Sequence, residues 1–147
     1  MAETFGMLCD KLTIVKLKQY HTEDSAVLAK LGNQATGLEA EIDQYIADAL
    51  MGRIPMEQLT FASNKVYKKE GNEVEKITGN FGTLIYQLAD INCRLWHQQE
   101  KVYEFEKVPD DEKDKVVKQL ARLNLERNNC IDAINKQLAE LIIQKNK

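Results

Sequence analysis

Helix breakers and cross-links are scarce in this sequence. Of 147 residues, two are proline, seven are glycine and three are cysteine. Few breakers beside many Leu, Lys, Glu, Gln and Ala predict long helices. The cysteines, Cys9, Cys93 and Cys130, are odd in number and lack paired spacing. They argue against a disulfide framework and for a reducing, cytoplasmic setting. No run of about 18 apolar residues occurs, so no membrane-spanning helix and no membrane partner is expected. Met1-Ala2-Glu3-Thr4-Phe5 has neither a basic n-region nor an apolar h-region, so no signal peptide is expected. Positive charge is short too. The net charge is −3 and the pI about 5.5, which excludes the broad basic face that a nucleic-acid binder needs. The CxxC, P-loop, GxGxxG and HExxH motifs are absent.

What is present is 44% apolar and 29% charged residues. A chain of this length reads as one domain over 1–147, able to bury roughly 68–70% of its unfolded surface. The chain also repeats itself. Residues 3–24 align with residues 79–100 at a fixed offset of 76, without a gap. Phe5/Phe81, Gly6/Gly82, Leu8/Leu84, Leu12/Leu88 and His21/His97 are identical, and Tyr20/Trp96 and Lys18/Arg94 are close. Both histidines of the chain sit at equivalent places, each after an aromatic. Ile42-Asp43 pairs more weakly with Ile131-Asp132. The pattern predicts two related helical hairpins, 3–52 and 79–147, joined by a connection over 53–78.

Helical periodicity agrees. Phe5, Leu8, Leu12 and Val15 step by three and four, as do Phe81, Leu84, Leu88, Ile91 and Leu95. Thr4 and Asn80 are suitable N-caps. An earlier start at the Asn72-x-x-Glu75 capping box would place Gly79 and Gly82 inside the second of these helices. That requires a packing reason, such as close approach of another backbone. Leu28, Leu31, Ala35, Leu38, Ile42, Tyr45 and Ala49 define a helix ended by Gly52. Pro55 opens a short helix to about Lys68. Asp110 and Asp111 open a last helix with its stripe at Val116, Leu120, Leu123, Ile131, Ile134, Leu138 and Leu141. The expected fold is all-α, an up-down antiparallel bundle of four long helices and one short connecting helix.

Two departures from the repeat put a charge where the other half has an aliphatic. Asp90 replaces Ile14, and Arg127 lies in the last apolar stripe where the other half has Leu38. A buried charge needs a partner. Either Arg127 pairs internally with Asp90, or it faces a cavity and holds a phosphate or carboxylate in its planar fork. Asn124, Asn128 and Asn129 add amides to either arrangement.

Asp90, Cys93, His97 and Glu100 share one helical face and are all metal-ligand types. Ten helical residues rise about 15 Å, too far for four ligands on one ion. No metal and no cofactor is therefore expected. The alternative for the histidines is hydrogen bonding of His21 to Asp24 and of His97 to Glu100. Trp96 and Tyr20 are either core aromatics or stacking faces for a planar ligand. Lys11, Lys16 and Lys18 read as solvated surface, with Lys11 kept as a candidate ligand contact. The cysteines have no evident activating neighbour. Gln87-Leu88-Ala89-Asp90 looks like the Glu-x-x-Asp helix motif of MazG-like nucleotide pyrophosphohydrolases with the Glu replaced by Gln. Its paired partner glutamates are missing.

Three stretches carry a wider resemblance: Asp10-Lys11-Leu12-Thr13-Ile14, Trp96-His97-x-x-Glu100 and Arg127-Asn128-x-x-Ile131-Asp132. They resemble the D-K-L-S/T-I, W-H-x-x-D/E and R-N-x-x-I-D pattern of a poorly characterised group of small helical phage and bacterial proteins. The second half has Tyr86-Gln87 in place of Asp-Lys. The resemblance implies an all-helical, viral, intracellular protein and brings with it no established activity or catalytic residues. The residue chemistry adds a binding expectation, in which Arg127 and Arg94 hold phosphate and Trp96 or Tyr20 stacks on a base. His97 and Asn128 form hydrogen bonds, with His21 and Lys11 completing the set. The expected function is thus non-enzymatic sequestration of an anionic nucleotide-like signal, a cyclic nucleotide or ADP-ribose derivative, as counter-defence. The competing expectations are an adaptor or homo-oligomer acting through helix faces and, less strongly, a MazG-like hydrolase.

Overall fold

The computed structural model describes residues 3–60, 77 and 79–146. Among these residues the chain is all-helical: α1 (Phe5–Tyr20), α2 (Ser25–Leu50), α3 (Met56–Leu59), α4 (Phe81–Tyr103) and α5 (Asp110–Lys145), with a 3-10 turn at Phe105–Lys107. Local chemistry sets most ends. Thr4 is fully buried, and its hydroxyl accepts from the Met7 N–H at 3.3 Å. Asp24 caps α2 by accepting from the N–H groups of Ala26 and Val27. Gly52, at φ +73°, ends α2 in the left-handed region that favours glycine. Asp110, Asp111 and Glu112 fill the first turn of α5, where the helix dipole favours anions.

Asn80 occupies the N-cap of α4 in extended backbone, but its side chain makes no capping bond. The helix begins at Phe81, so Gly79 stands before it at φ +150°. Gly82 lies in its first turn with nothing within 4 Å of a Cβ built on it. The close backbone approach occurs instead at Gly6, where a Cβ would sit 2.5 Å from the Ile131 carbonyl oxygen. Helix α3 ends at Leu59. The expected continuation to Lys68 and the Asn72–Glu75 capping box lie outside the described residues.

Contacts give the helix directions. Phe5 packs edge-on against Phe81 (6.0 Å between centroids), Asn92 reaches Asp10 and Thr13, and Trp96 stacks on His21. Helices α1 and α4 therefore run side by side in the same direction. Helix α5 opposes both: Asn135 meets Gly6, Arg127 meets Asp10, and the Cys130 thiol donates to the Leu84 carbonyl. Helix α2 folds back along α1 and stacks Tyr45 on Phe5. At its end, the Leu50 carbonyl accepts from Lys145 Nζ at 2.8 Å.

The core follows the predicted stripes in α1, α4 and α5, with Leu12, Phe81, Leu95 and Leu120 only half-buried. Phe5, Leu8, Val15, Leu84, Leu88, Ile91, Leu123, Ile131, Ile134 and Leu138 are buried, joined by Cys9, Cys130 and Leu59. Two expectations fail. Only Leu31 and Ala49 are buried in α2, whose apolar face is covered chiefly by α1, and the rest of its stripe is half-exposed. Leu141 is exposed while Ile142 is buried, so the buried face at the C-terminal end of the 36-residue α5 runs through Leu138 and Ile142 rather than Leu141.

The two Phe-Gly glycines should respond oppositely to alanine. Gly6→Ala forces the α1–α5 contact apart and should cost at least about 1–3 kcal/mol, as overpacking does. Gly82→Ala and Gly37→Ala, both with open space over the Cα, should add up to about 1 kcal/mol through helix propensity. Denaturant titration of the three variants measures both signs.

Candidate functional site

The site region is built around one buried charge. Asp10 is 4% exposed, on the flank of α1 that faces α5. Arg127 grips it with two bonds, Nε to Oδ1 at 2.9 Å and Nη2 to Oδ2 at 2.6 Å. This is the bidentate fork-to-carboxylate geometry that makes charge-assisted pairs strong. Asn92, also buried, donates from Nδ2 to Asp10 Oδ1 (2.9 Å) and to Thr13 Oγ1 (2.8 Å). The Thr13 hydroxyl in turn donates to the Asp10 carbonyl. One carboxylate thus ties α1, α4 and α5 together.

The expected Asp90–Arg127 pair does not form. Asp90 is exposed on α4 and pairs with Arg94 one turn on, at 3.1 Å. Position 90 points away from α5, so the repeat departure at Asp90 is a surface feature. The informative departure is Asp10 against Tyr86 at the same offset of 76. Comparing the two halves at that position was the available signal for Arg127's partner.

A groove of about 480 Å³ opens where α1 and α4 run in parallel. Leu17, Tyr20, His21, Cys93, Trp96 and His97 line it, with Thr13, Lys16 and Ala89. The aromatic-histidine pairs of both repeats therefore meet in one place. His21 and Trp96 are stacked, 4.6 Å apart and 22° from coplanar. His21 Nδ1 donates to the Leu17 carbonyl at 2.8 Å rather than to Asp24, whose carboxylate caps α2. A carbonyl can only accept, so this bond leaves His21 Nε2 as the free ring nitrogen. His97 Nδ1 lies 3.6 Å from Glu100. Tyr20 and His97 are largely exposed at the rim.

The other expected ligand residues lie elsewhere. Arg127, Asn128 and Lys11 line a separate cleft of about 300 Å³ between α1 and α5. Its charges are already matched: Arg127 holds Asp10, and Lys11 pairs with Glu3. Arg94 lines neither space and is engaged with Asp90. Asp90 of the MazG-like tetrapeptide is in that surface pair, and Gln87 Oε1 is buried with no hydrogen-bond partner among the described residues. No group of three or more His, Cys, Asp or Glu residues among them could hold a metal ion. No helix among them is long and apolar enough to cross a membrane.

The thiols divide by environment. Burial, with a smaller contribution from the Asp10 charge, raises Cys9 and Cys130 from 9.0 to about 11. Burial also raises the Tyr45 hydroxyl, partly offset by a hydrogen bond with the Phe5 backbone. Cys93 is exposed in the groove. Iodoacetamide at pH 8 should therefore label one thiol of three in the folded protein, Cys93, and all three after denaturation; mass spectrometry reads the count. These raised values favour folding below pH 9, where the thiols are protonated in both states. That advantage is lost as pH rises through about 11, because the unfolded thiols ionise first. Stability should fall across pH 9–11, and less steeply in Cys130→Ala. Separately, Arg127→Ala leaves Asp10 buried without its main partner and should cost about 3–5 kcal/mol in urea titration.

Compared with family models, curated proteins and solved structures, the chain matches none of them.

Proposed function

We propose that this protein is a non-enzymatic binder of a small, planar, anionic, nucleotide-like ligand, held in the groove between α1 and α4. The observation that carries this reading is the convergence of Tyr20, His21, Trp96 and His97, two from each repeat, on that single groove. Its volume lies within the roughly 300–1,000 Å³ of small-molecule sites. An apolar wall with a few polar groups is also what such sites use. A base would extend the His21–Trp96 stack, since aromatic faces accept planar rings. Lys16 supplies the cation for a phosphate, and His97 a ring N–H at the rim. This places the phosphate contact on Lys16 rather than on Arg127 or Arg94, whose guanidinium groups already hold carboxylates.

The same reading takes the chain as an up-down helical bundle made from two duplicated hairpins, so that the groove is the seam between equivalent helices. The likeness to phage proteins suggests a role for such a binder: withholding a host nucleotide signal as counter-defence in the infected cell's cytoplasm. A second reading, an adaptor or self-associating helical protein, is favoured by the exposed Ile85, Tyr86 and Tyr20 beside the groove.

The lone tryptophan of the chain sits in the groove, so its emission reports occupancy. A panel of mononucleotides, cyclic dinucleotides and ADP-ribose derivatives should contain a member that shifts Trp96 emission and raises Tm. Both effects should disappear when Cys93 is alkylated, and the Tm shift should weaken at least about tenfold in ligand concentration in Lys16→Ala. Arg94→Ala should retain both. If no panel member moves either signal while light scattering finds dimers, the adaptor reading replaces this one.

A further inference from the structure

Beyond the ligand reading, we infer that Asp10, Asn92 and Arg127 are positioning residues, whose hydrogen-bond network around the buried Asp10 carboxylate sets the one pairing of α1 with α4 and α5 that creates the groove. Several observations lead there. The two halves share Phe, Gly, Leu, Leu and His at matched positions. Apolar seams that similar can pair in more than one way: α1 or α4 with a second copy of itself, or with each other displaced by a turn. Hydrophobic contact is non-directional and separates such alternatives poorly. The network separates them, because its members are unmatched in the repeat. At the offset of 76, Asp10 faces Tyr86, Thr13 faces Ala89, and Asn92 faces Lys16. A pairing of α1 with another α1 leaves Asp10 buried without Asn92, and a pairing of α4 with another α4 leaves Asn92 without a carboxylate.

Geometry narrows the register as well. Asn92 Nδ2 must reach both Asp10 and Thr13, 2.9 and 2.8 Å away. Sliding α4 by one turn moves it about 5.4 Å and breaks both bonds. The bidentate Arg127–Asp10 bonds fix α5 against α1 in the same manner. Thr13 is at once a member of the network and a wall of the groove. The Trp96–His21 stack lies one turn beyond Asn92, so it reports the register. Buried polar groups specify pairing in some helical assemblies at a cost in stability, while apolar replacements of matched size are often neutral or stabilising. The network is thus a selector of one arrangement, and the packed core around it supplies the stability.

The test uses the full chain and its single tryptophan, which gives one indole N–H resonance per arrangement. The triple variant Asp10→Leu/Asn92→Leu/Arg127→Met removes the network with apolar side chains. It should keep the helical circular dichroism and a Tm within about 5 °C of the parent, while its one indole cross-peak splits into several or broadens. Asn92→Leu alone keeps the ion pair and cuts only α4 loose. It should remain folded and show the same splitting. One sharp indole peak at the parent position in either variant overturns the inference. So does unfolding of the triple variant, since the network would then be needed for stability and not for choice of pairing. None of these outcomes depends on ligand, so failure of the nucleotide panel and failure of this inference are separately visible.

Discussion

Placing a carboxylate in the core of a small helical protein constrains everything near it. Asp10 must be compensated, and the two groups that do so come from two other helices, Asn92 on α4 and Arg127 on α5, while Thr13 on its own helix accepts from Asn92 and donates to the Asp10 backbone carbonyl. Four residues earlier on α1, Asn135 of α5 receives the Gly6 N–H at 2.7 Å. That bond satisfies a first-turn donor which the helix itself leaves open. It also brings the α5 backbone so close that only glycine fits. These two ties set how α5 lies against α1. The Asn92 bonds set how α4 lies beside them, and the groove follows from that register.

The two halves of the repeat use the same residues unequally. Gly6 is a contact point, whereas Gly82 faces open space. Phe5 is fully in the core, and Phe81 only partly. The difference arises because α1 is covered by α2, α4 and α5, while α4 is covered by α1 and α5. A central helix buries positions nearly all around itself, which is why polar Asp10 and Thr4 end inside. A helix with fewer neighbours keeps more exposed positions, and among the described residues of α4 these include Ile85, Tyr86 and Tyr103.

Helix existence was legible because it depends on neighbours three and four residues away. The stripes in α1, α4 and α5, the Thr4 cap, the Gly52 stop and the acidic start of α5 were all readable for that reason. The half-exposed stripe of α2 was not, since its periodicity is the same whether one partner helix covers it or three. Gly6 shows the same limit. A Phe-Gly pair looks alike in both halves, and only the position of α5 makes one glycine indispensable. Of the candidate site, the residue types Tyr20, His21, Trp96 and His97 were legible as a set because the repeat placed them equivalently. Arg127 marks the limit: a guanidinium is defined by its partner, and spacing along the chain points to Asp90 although Asp10 is the carboxylate it meets.

The helices, their apolar faces and the pairing of an aromatic with a histidine in each half follow from the order of the residues alone. These depend on short-range stereochemistry and on spacing along the chain. That Arg127 is spent on Asp10, 117 residues away, and that the two aromatic-histidine pairs share one groove while the charge-paired cleft at Arg127 lies apart from it, emerges only when the helices pack. Apolar burial rewards any covered surface and so leaves partners unspecified. A buried charge is satisfied at one distance and one angle, and that geometry exists only once the helices have been brought together.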